Sequence, residues 1–418
     1  MDISNEASRV PALPQEIVDI IIDHLHDDPR TLRKCSLVCQ SWLPSTSLHI
    51  FPRTICLPPR KMRRKAWAVD MPLKTFVTPR IVRHTQKLTL TGFADGKVFP
   101  CSLVNFFEAL DQIPNLRSLT VDLENVHIPY PSTDSLPRAT LSRMRTRHIH
   151  TLAISGACNP DFLLVLALIQ RFDHILRLTL SRFIITIPSN RPRVVYKTRV
   201  DAIQCYRCFG RQVSALVKDC VKTESLLSIV IDGERDQSYD CGLASLVDRT
   251  PNLEHLTYAA SNDTRGPLLC QITPSLQSIA IRQAWDDHVS SNARKWELIL
   301  RRLAFCPATI KSITVHLDIR NLLLKLQTRD ADTMFLTTIG PMDWGALGKT
   351  LTRFPSLSAL HVVLRDQSTR TIEVDEKWSY GTFKLSVSNY MFEKLPSHLR
   401  EISSLEAEWE VTDRGVTD

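Results

Sequence analysis

The 418-residue sequence contains no long apolar run. Its longest uninterrupted stretch, Phe162 to Ile169, falls far short of the ~20 residues a membrane-spanning helix needs, so no insertion into a bilayer is predicted. Met1 to Val10 (MDISNEASRV) shows neither a basic start nor an apolar stretch, and no signal peptide is expected. Glycine is scarce at 12 residues, which leaves little material for phosphate-cradling loops. Gly-x-Ser-x-Gly, His-Glu-x-x-His and the glycine-rich dinucleotide loop are all missing. With no catalytic signature, the chain reads as a non-enzyme with no cofactor and no metal.

Two motifs resemble chemistry without completing it. Gly345-Ala346-Leu347-Gly348-Lys349-Thr350 ends like a P-loop, but Asp343 stands where the first glycine belongs, and a carboxylate there repels phosphate. An amphipathic helix is the better reading. Cys205-Tyr206-Arg207-Cys208 has zinc-like or redox-like spacing, yet no second paired ligand set follows; Cys220 and Cys241 are single. The 11 cysteines are odd in number and lack a framework spacing, so they read as reduced thiols of a cytoplasmic or nuclear protein.

Against these absences, 43% of the residues are hydrophobic and 23% charged, with no low-complexity runs, so an ordered chain of two or three units is expected. The net charge is +8, and its location is informative. Arg53 to Arg83 holds nine Lys or Arg residues against the single acid Asp70, so the rest of the chain is neutral. One linker-like segment, with Arg60 to Lys65 at its centre, carries the whole excess. No aromatics interleave with it at base-stacking spacing, which argues against nucleic acid. A solvated face is favoured over a nuclear-import signal.

The spacing predicts three parts. Residues 11–52 form a small helical module. Pro14 suits a helix start, Ile17, Ile20, Ile21 and Leu25 share one face, and Asp28-Pro29 caps a second helix carrying Leu32, Cys35, Cys39 and Trp42. Pro44 is expected to limit that helix. Residues 53–85 read as a basic, proline-containing linker with ordered pieces around Trp67 and Phe76. From residue 86 to 418 one phrase recurs, an aliphatic followed by others three and five positions on. Its clearest copies are Leu116-Leu119-Val121, Leu253-Leu256-Tyr258, Leu276-Ile279-Ile281, Ile310-Ile313-Val315 and Leu357-Leu360-Val362. Weaker copies begin at Ile149, Ile175 and Leu226, and Lys87 to Leu90 is a truncated first copy. Helical stretches such as Phe162 to Gln170 and Trp296 to Leu303 lie between them. Helix followed by short strand, repeated, predicts an α/β fold: an all-α module, then an irregular leucine-rich-repeat-like solenoid with a parallel sheet. The spacing varies from 23 to 51 residues, so gaps such as Ser181 to Cys205 are read as insertions. An ordinary α/β domain remains the alternative.

The module resembles the F-box in its fungal form. Leu13, Pro14 and Glu16 match the opening, Ile17, Ile20, Ile21 and Leu25 the helix, and Leu32, Cys35, Leu37, Val38, Cys39 and Trp42 the closing half, with His49-Ile50-Phe51 following. The match covers about a tenth of the chain. The resemblance implies docking on a Skp-family adaptor of a cullin-based (SCF) ubiquitin ligase, with a protein target held by the repeats. It implies that Leu13, Pro14, Ile17, Ile20, Ile21, Leu32, Val38, Cys39 and Trp42 divide between the module's core and the adaptor interface. Thr120, Asp122, Thr257 and His316 are candidate target contacts by their place in the strands. The rival reading is a repeat-based interaction scaffold with no role in ubiquitination, its N-terminal helices merely capping the solenoid.

Overall fold

The computed structural model describes residues 13–25, 27–38, 40, 42–50, 54–57, 83–90, 110–123, 148–156, 162–182, 197–208, 210–232, 246–247, 249–259, 273–285, 289–319, 339–366 and 374–409. The chain divides into two compact units, Met1–Met144 and Arg145–Asp418. Both are built from helices and parallel strands, so the fold class is mixed α/β. Among the described residues no helix is long and apolar enough to cross a membrane.

In the first unit, α1 spans Gln15–His24, α2 Pro29–Cys35 and α3 Leu43–Ile50. Asp28 caps α2 as its sequence predicts. One carboxylate oxygen accepts the backbone N–H groups of Arg30 and Thr31, each at 3.1 Å, and the other takes the Thr31 hydroxyl at 2.6 Å. The Thr31 hydroxyl leads these bonds in holding the Asp28 carboxyl below its ordinary value. The expectation of one helix running through Trp42 and cut short by Pro44 is not met. The chain turns after Cys35, and Pro44 sits in the first turn of α3, where a missing N–H breaks no intrahelical bond. Strands β1 (Thr54–Leu57), β2 (Lys87–Leu90) and β3 (Ser118–Asp122) then pair in parallel, aligning Ile55 with Leu88 and Leu88 with Leu119. The stretch read as a linker therefore contributes a strand.

The second unit holds β4 (His148–Ser155), β5 (His174–Ser181), β6 (Thr198–Tyr206), the short β7 (Val221–Lys222), β8 (Ser228–Asp232), β9 (His255–Ala259), β10 (Ser278–Trp285), β11 (Ser312–Ile319), β12 (Ala359–Asp366) and β13 (Ser403–Trp409). Except for β7, which pairs off the path with β6, they follow one another in sequence order as an open parallel sheet. The middle positions of the recurring phrase fall in line: Leu152, Leu178, Ile203, Ile229, Leu256, Ile279, Ile313 and Leu360. All are buried. The third positions align equally, from Ile154 through Cys205 and Tyr258 to Val362. Strand β6 corrects one expectation: Val200-Ile203-Cys205 is a full copy inside what reads as an insertion, splitting the 51-residue gap into steps of 25 and 26.

The entries into β3, β8, β9, β10, β11 and β12 are tight turns. The N–H groups of Leu116, Leu253, Leu276 and Leu357 each bond the carbonyl three residues back, which puts Pro114, Pro251, Pro274 and Pro355 second in the turn, where a fixed φ is favourable. The residue just before the first aliphatic then reaches the preceding repeat. Asn115 donates to the Arg83 carbonyl at 2.6 Å, Asn252 to Glu224 at 2.8 Å, Ser275 to Pro251 at 2.8 Å and Thr309 to Pro274 at 3.0 Å. Ser225 donates to the Val200 carbonyl at 3.0 Å and accepts its N–H at 3.1 Å. These side chains form a polar seam along the strand entries, each bond satisfying a carbonyl that the sheet ladder leaves over.

The described residues of the unit also include helices α4 (Phe162–Gln170), α5 (Gly210–Cys220), α6 (Val289–Ala304), α7 (Trp344–Leu351), α8 (Val374–Lys394) and α9 (Ser397–Arg400). Trp296 on α6 and Trp344 on α7 lie 5.0 Å apart by ring centroids, and the Trp296 indole N–H donates to the Asp343 carbonyl at 3.1 Å. Gly348 packs so closely on Pro396 that a Cβ there would lie 2.6 Å from the proline Cδ. The ends of β4, β5 and β6 are also alike: Gly156, Arg182 and Arg207 follow them with φ of 72°, 52° and 53°. For the two arginines this left-handed backbone costs about 1 kcal/mol each.

This packing sets two expected effects on stability. Ile203→Ala should destabilise the second unit by about 2–5 kcal/mol in denaturant titration, the usual cost of truncating a buried aliphatic. An effect within ~0.5 kcal/mol would mean that β6 is not part of the core. Gly348→Ala should cost about 1–3 kcal/mol through overpacking against Pro396, despite alanine's better helix propensity.

Candidate functional site

The helical module has a small interior. Val18 and Ile22 of α1 meet Leu32 and Cys35 of α2, with Leu25, Trp42 and Ile50 packed against them half-buried. Polar contacts set how α1 lies on α3. The Ser45 hydroxyl donates to Asp19, Gln15 donates to Asp19 at 2.8 Å and to the Ser45 oxygen at 3.3 Å, and His49 meets Asp23 at 2.8 Å. The Ser45 bond, then the Gln15 bond, holds the Asp19 carboxyl below its ordinary value. Gln15, Asp19 and Asp23 recur every four residues, as do Ser45 and His49, so two matching polar stripes face each other.

This clasp turns the remaining apolar side chains of α1 outward. Ile17, Ile20 and Ile21 are exposed, as are Leu13 and Pro14 just before the helix. Leu37 and Val38, in the turn after α2, are 85% and 63% exposed, and Leu43 opens α3 in contact with solvent. Among the described residues, seven large apolar side chains therefore face water around a core of four buried ones. Burying such a side chain is worth roughly 1.5–3 kcal/mol, so covering this surface is strongly favourable.

The residues singled out from the sequence separate cleanly. Leu13, Pro14, Ile17, Ile20, Ile21 and Val38 lie on the exposed side, Leu32 is fully buried in the module's core, and Trp42 is half-buried against that core. Cys39 lies outside the described residues. Leu43 belongs to the exposed set too; being outside the motif, it carried no signal.

The second unit offers a different surface, the sheet face opposite the aliphatic rungs. Thr257 and His316 lie there, half-buried, and Thr120 and Asp122 take the same position on β3 of the first unit. The register sets Arg282 opposite His316 and Asp318 opposite Arg365. Burial, with Arg282 and Arg365 adding to it, pushes the His316 imidazole down to about 3, so it is neutral at physiological pH.

The two incomplete motifs resolve structurally. Asp343 caps α7 by accepting the Ala346 N–H at 2.8 Å, so the P-loop-like residues form a capped helix. Cys205 and Cys208 are buried thiols; the Cys208 Sγ lies 3.3 Å from the Leu180 carbonyl, and Cys208 leads in raising the Cys205 thiol above its ordinary value. Among the described residues no three His, Cys, Asp or Glu side chains gather to hold a metal ion. The basic run Arg60 to Lys65 lies outside the described residues.

No protein-family model matches the chain, and no curated protein is similar to it in sequence.

The division of the module predicts opposite outcomes for neighbouring substitutions. Leu32→Ala should melt the helices, costing about 2–5 kcal/mol, whereas Ile20→Ser should leave the far-ultraviolet circular dichroism of the chain unchanged. Equal losses from both would place Ile20 in a covered interface.

Proposed function

We propose that this chain is the substrate-recognition subunit of an SCF-type ubiquitin ligase, an F-box protein whose repeat domain is a divergent leucine-rich-repeat solenoid. One observation carries the reading: the F-box-like residues Leu13, Pro14, Ile17, Ile20, Ile21 and Val38 are exposed together on a module whose apolar core holds four buried side chains. A helix pair that merely completed its own core would not leave its apolar positions in water. A Skp-family adaptor would cover this face, with Leu32 and Trp42 holding the helices that present it.

The in-register stacking of one aliphatic phrase across eight successive strands, β4 through β12 with β7 left aside, supports the solenoid half of the proposal. Such an array presents a long surface for a target protein. The chain then acts without chemistry of its own, by raising the local concentration of target at the charged ubiquitin carrier. The scaffold alternative keeps the repeats and drops the adaptor.

Co-expression with a Skp-family adaptor distinguishes the two. The wild-type chain should co-purify as a stable complex, and Leu13→Ala/Pro14→Ala should weaken it by about tenfold or more, the effect of losing an interface hot spot. Failure of well-folded wild-type protein to bind the adaptor would leave the scaffold reading standing.

A further inference from the structure

Ser36 closes α2 and leads into the most exposed part of the module's apolar face. Its N–H bonds the Leu32 carbonyl at 2.9 Å, and its hydroxyl donates to the Arg33 carbonyl at 2.7 Å. Leu37 and Val38, the next two residues, are 85% and 63% exposed. Arg33 and Lys34, three and two residues before it, are exposed as well. Of all adjacent Lys/Arg pairs in the sequence, only Arg33-Lys34 is followed two residues on by a serine or threonine. Two cations, a hydroxyl and then a large apolar residue make the charge pattern that a protein kinase with an acidic substrate cleft selects.

The local structure lets such a cleft reach the hydroxyl. Helix α2 has seven residues, too few to hold together without the packing of Leu32 and Cys35. The turn after it is held by the Leu37 N–H on the Lys34 carbonyl at 3.0 Å and the Val38 N–H on the Cys35 carbonyl at 3.1 Å. The apolar side chains that move with this turn, Leu37 and Val38, are already in water, so opening it costs little.

A phosphate on Ser36 changes the face in two ways. It places a dianion beside the last carbonyls of α2, an end where the helix dipole favours cations. It also sets a strongly hydrated group within two residues of Val38, about 8 Å along the backbone. Any partner covering Leu37 and Val38 must then strip water from that charge.

We infer that Ser36 is a phosphorylation site for a base-directed protein kinase, and that the phosphate closes the docking face. The γ-phosphoryl group of ATP passes to the Ser36 oxygen, its bond to ADP breaks, and the hydroxyl proton leaves to the kinase's base. The site stands on the residues above, while its effect on docking rests on the proposed function. Modification and docking oppose each other, because an adaptor on Leu37 and Val38 would hold shut the turn that the kinase must open.

The experiment incubates the full chain with ATP and the catalytic subunit of cyclic-AMP-dependent protein kinase, and locates phosphate by mass spectrometry. Wild type should be modified at Ser36. Arg33→Ala/Lys34→Ala should slow this by about tenfold or more, since charge-assisted contacts to the cleft are lost, with circular dichroism unchanged. Titration with a Skp-family adaptor then reads the face. Phosphorylated wild type should bind at least about tenfold more weakly, as expected for a charge desolvated without a partner. Phosphatase should restore the affinity, Ser36→Ala should keep it after kinase treatment, and prebound adaptor should slow the modification. Phosphate elsewhere but not on Ser36, or a rate indifferent to the two cations, would overturn the site. Unchanged adaptor affinity after modification, or a loss that phosphatase does not reverse, would overturn the closure. Failure of the unmodified chain to bind the adaptor would refute the docking reading instead, with phosphate at Ser36 still deciding the site.

Discussion

Everything in the second unit depends on strands that stack without stagger. Ile279 lies opposite both Leu256 and Ile313, and two residues on, Ile281 lies opposite Tyr258 and Val315. A slip of one residue would send every aliphatic to the other face, so the phrase fixes register as well as burial. The prolines that set the turn before many of the strands keep the first aliphatic at a constant distance from the second. The Asn, Ser and Thr side chains at the strand entries then bond backbone carbonyls of the repeat before. Packing holds the interior of the array, and this polar seam holds its margin.

Much of this pattern is visible in the sequence, because aliphatics at intervals of three and two, led by proline and repeated many times, seldom recur by chance. The exceptions have physical causes. The copy in β6 has no proline directly before it, ends in cysteine, and is interleaved with Arg199, Asp201 and Gln204, so it reads as polar. In β13, Ser403 occupies the place taken by Leu360 on the neighbouring strand, and the phrase is absent although the pairing is present. Helix α8 mixes apolar and charged residues without a clear stripe and escapes a search for helical periodicity. The polar seam was legible in principle, since Asn, Ser or Thr precedes Leu116, Leu226, Leu253, Leu276, Ile310 and Leu357. A lone polar residue beside a proline, however, looks like ordinary turn chemistry.

The exposed apolar face of the helical module was only half legible. From Ile17 to Ile22 the single polar residue is Asp19, so two apolar stripes overlap on α1 and periodicity cannot say which is inside. The stripe Ile17-Ile20-Ile21, the better match by spacing, is the one left outside, while Val18 and Ile22 form the core. The deciding information is polar. Asp19 and Asp23 can reach Ser45 and His49 only if α1 is turned so that the three isoleucines point away. A stretch that is hydrophobic on both sides is thus oriented by its few hydrogen-bonding residues.

The imbalance in the helical module has a consequence for the life of the protein. Four buried apolar side chains make a shallow energy well, and anything that covers the seven exposed ones deepens it by mass action. A chain without a companion would expose this sticky face to chaperones and proteases and be cleared faster than an accompanied one. Its abundance would then follow the supply of whatever covers the face.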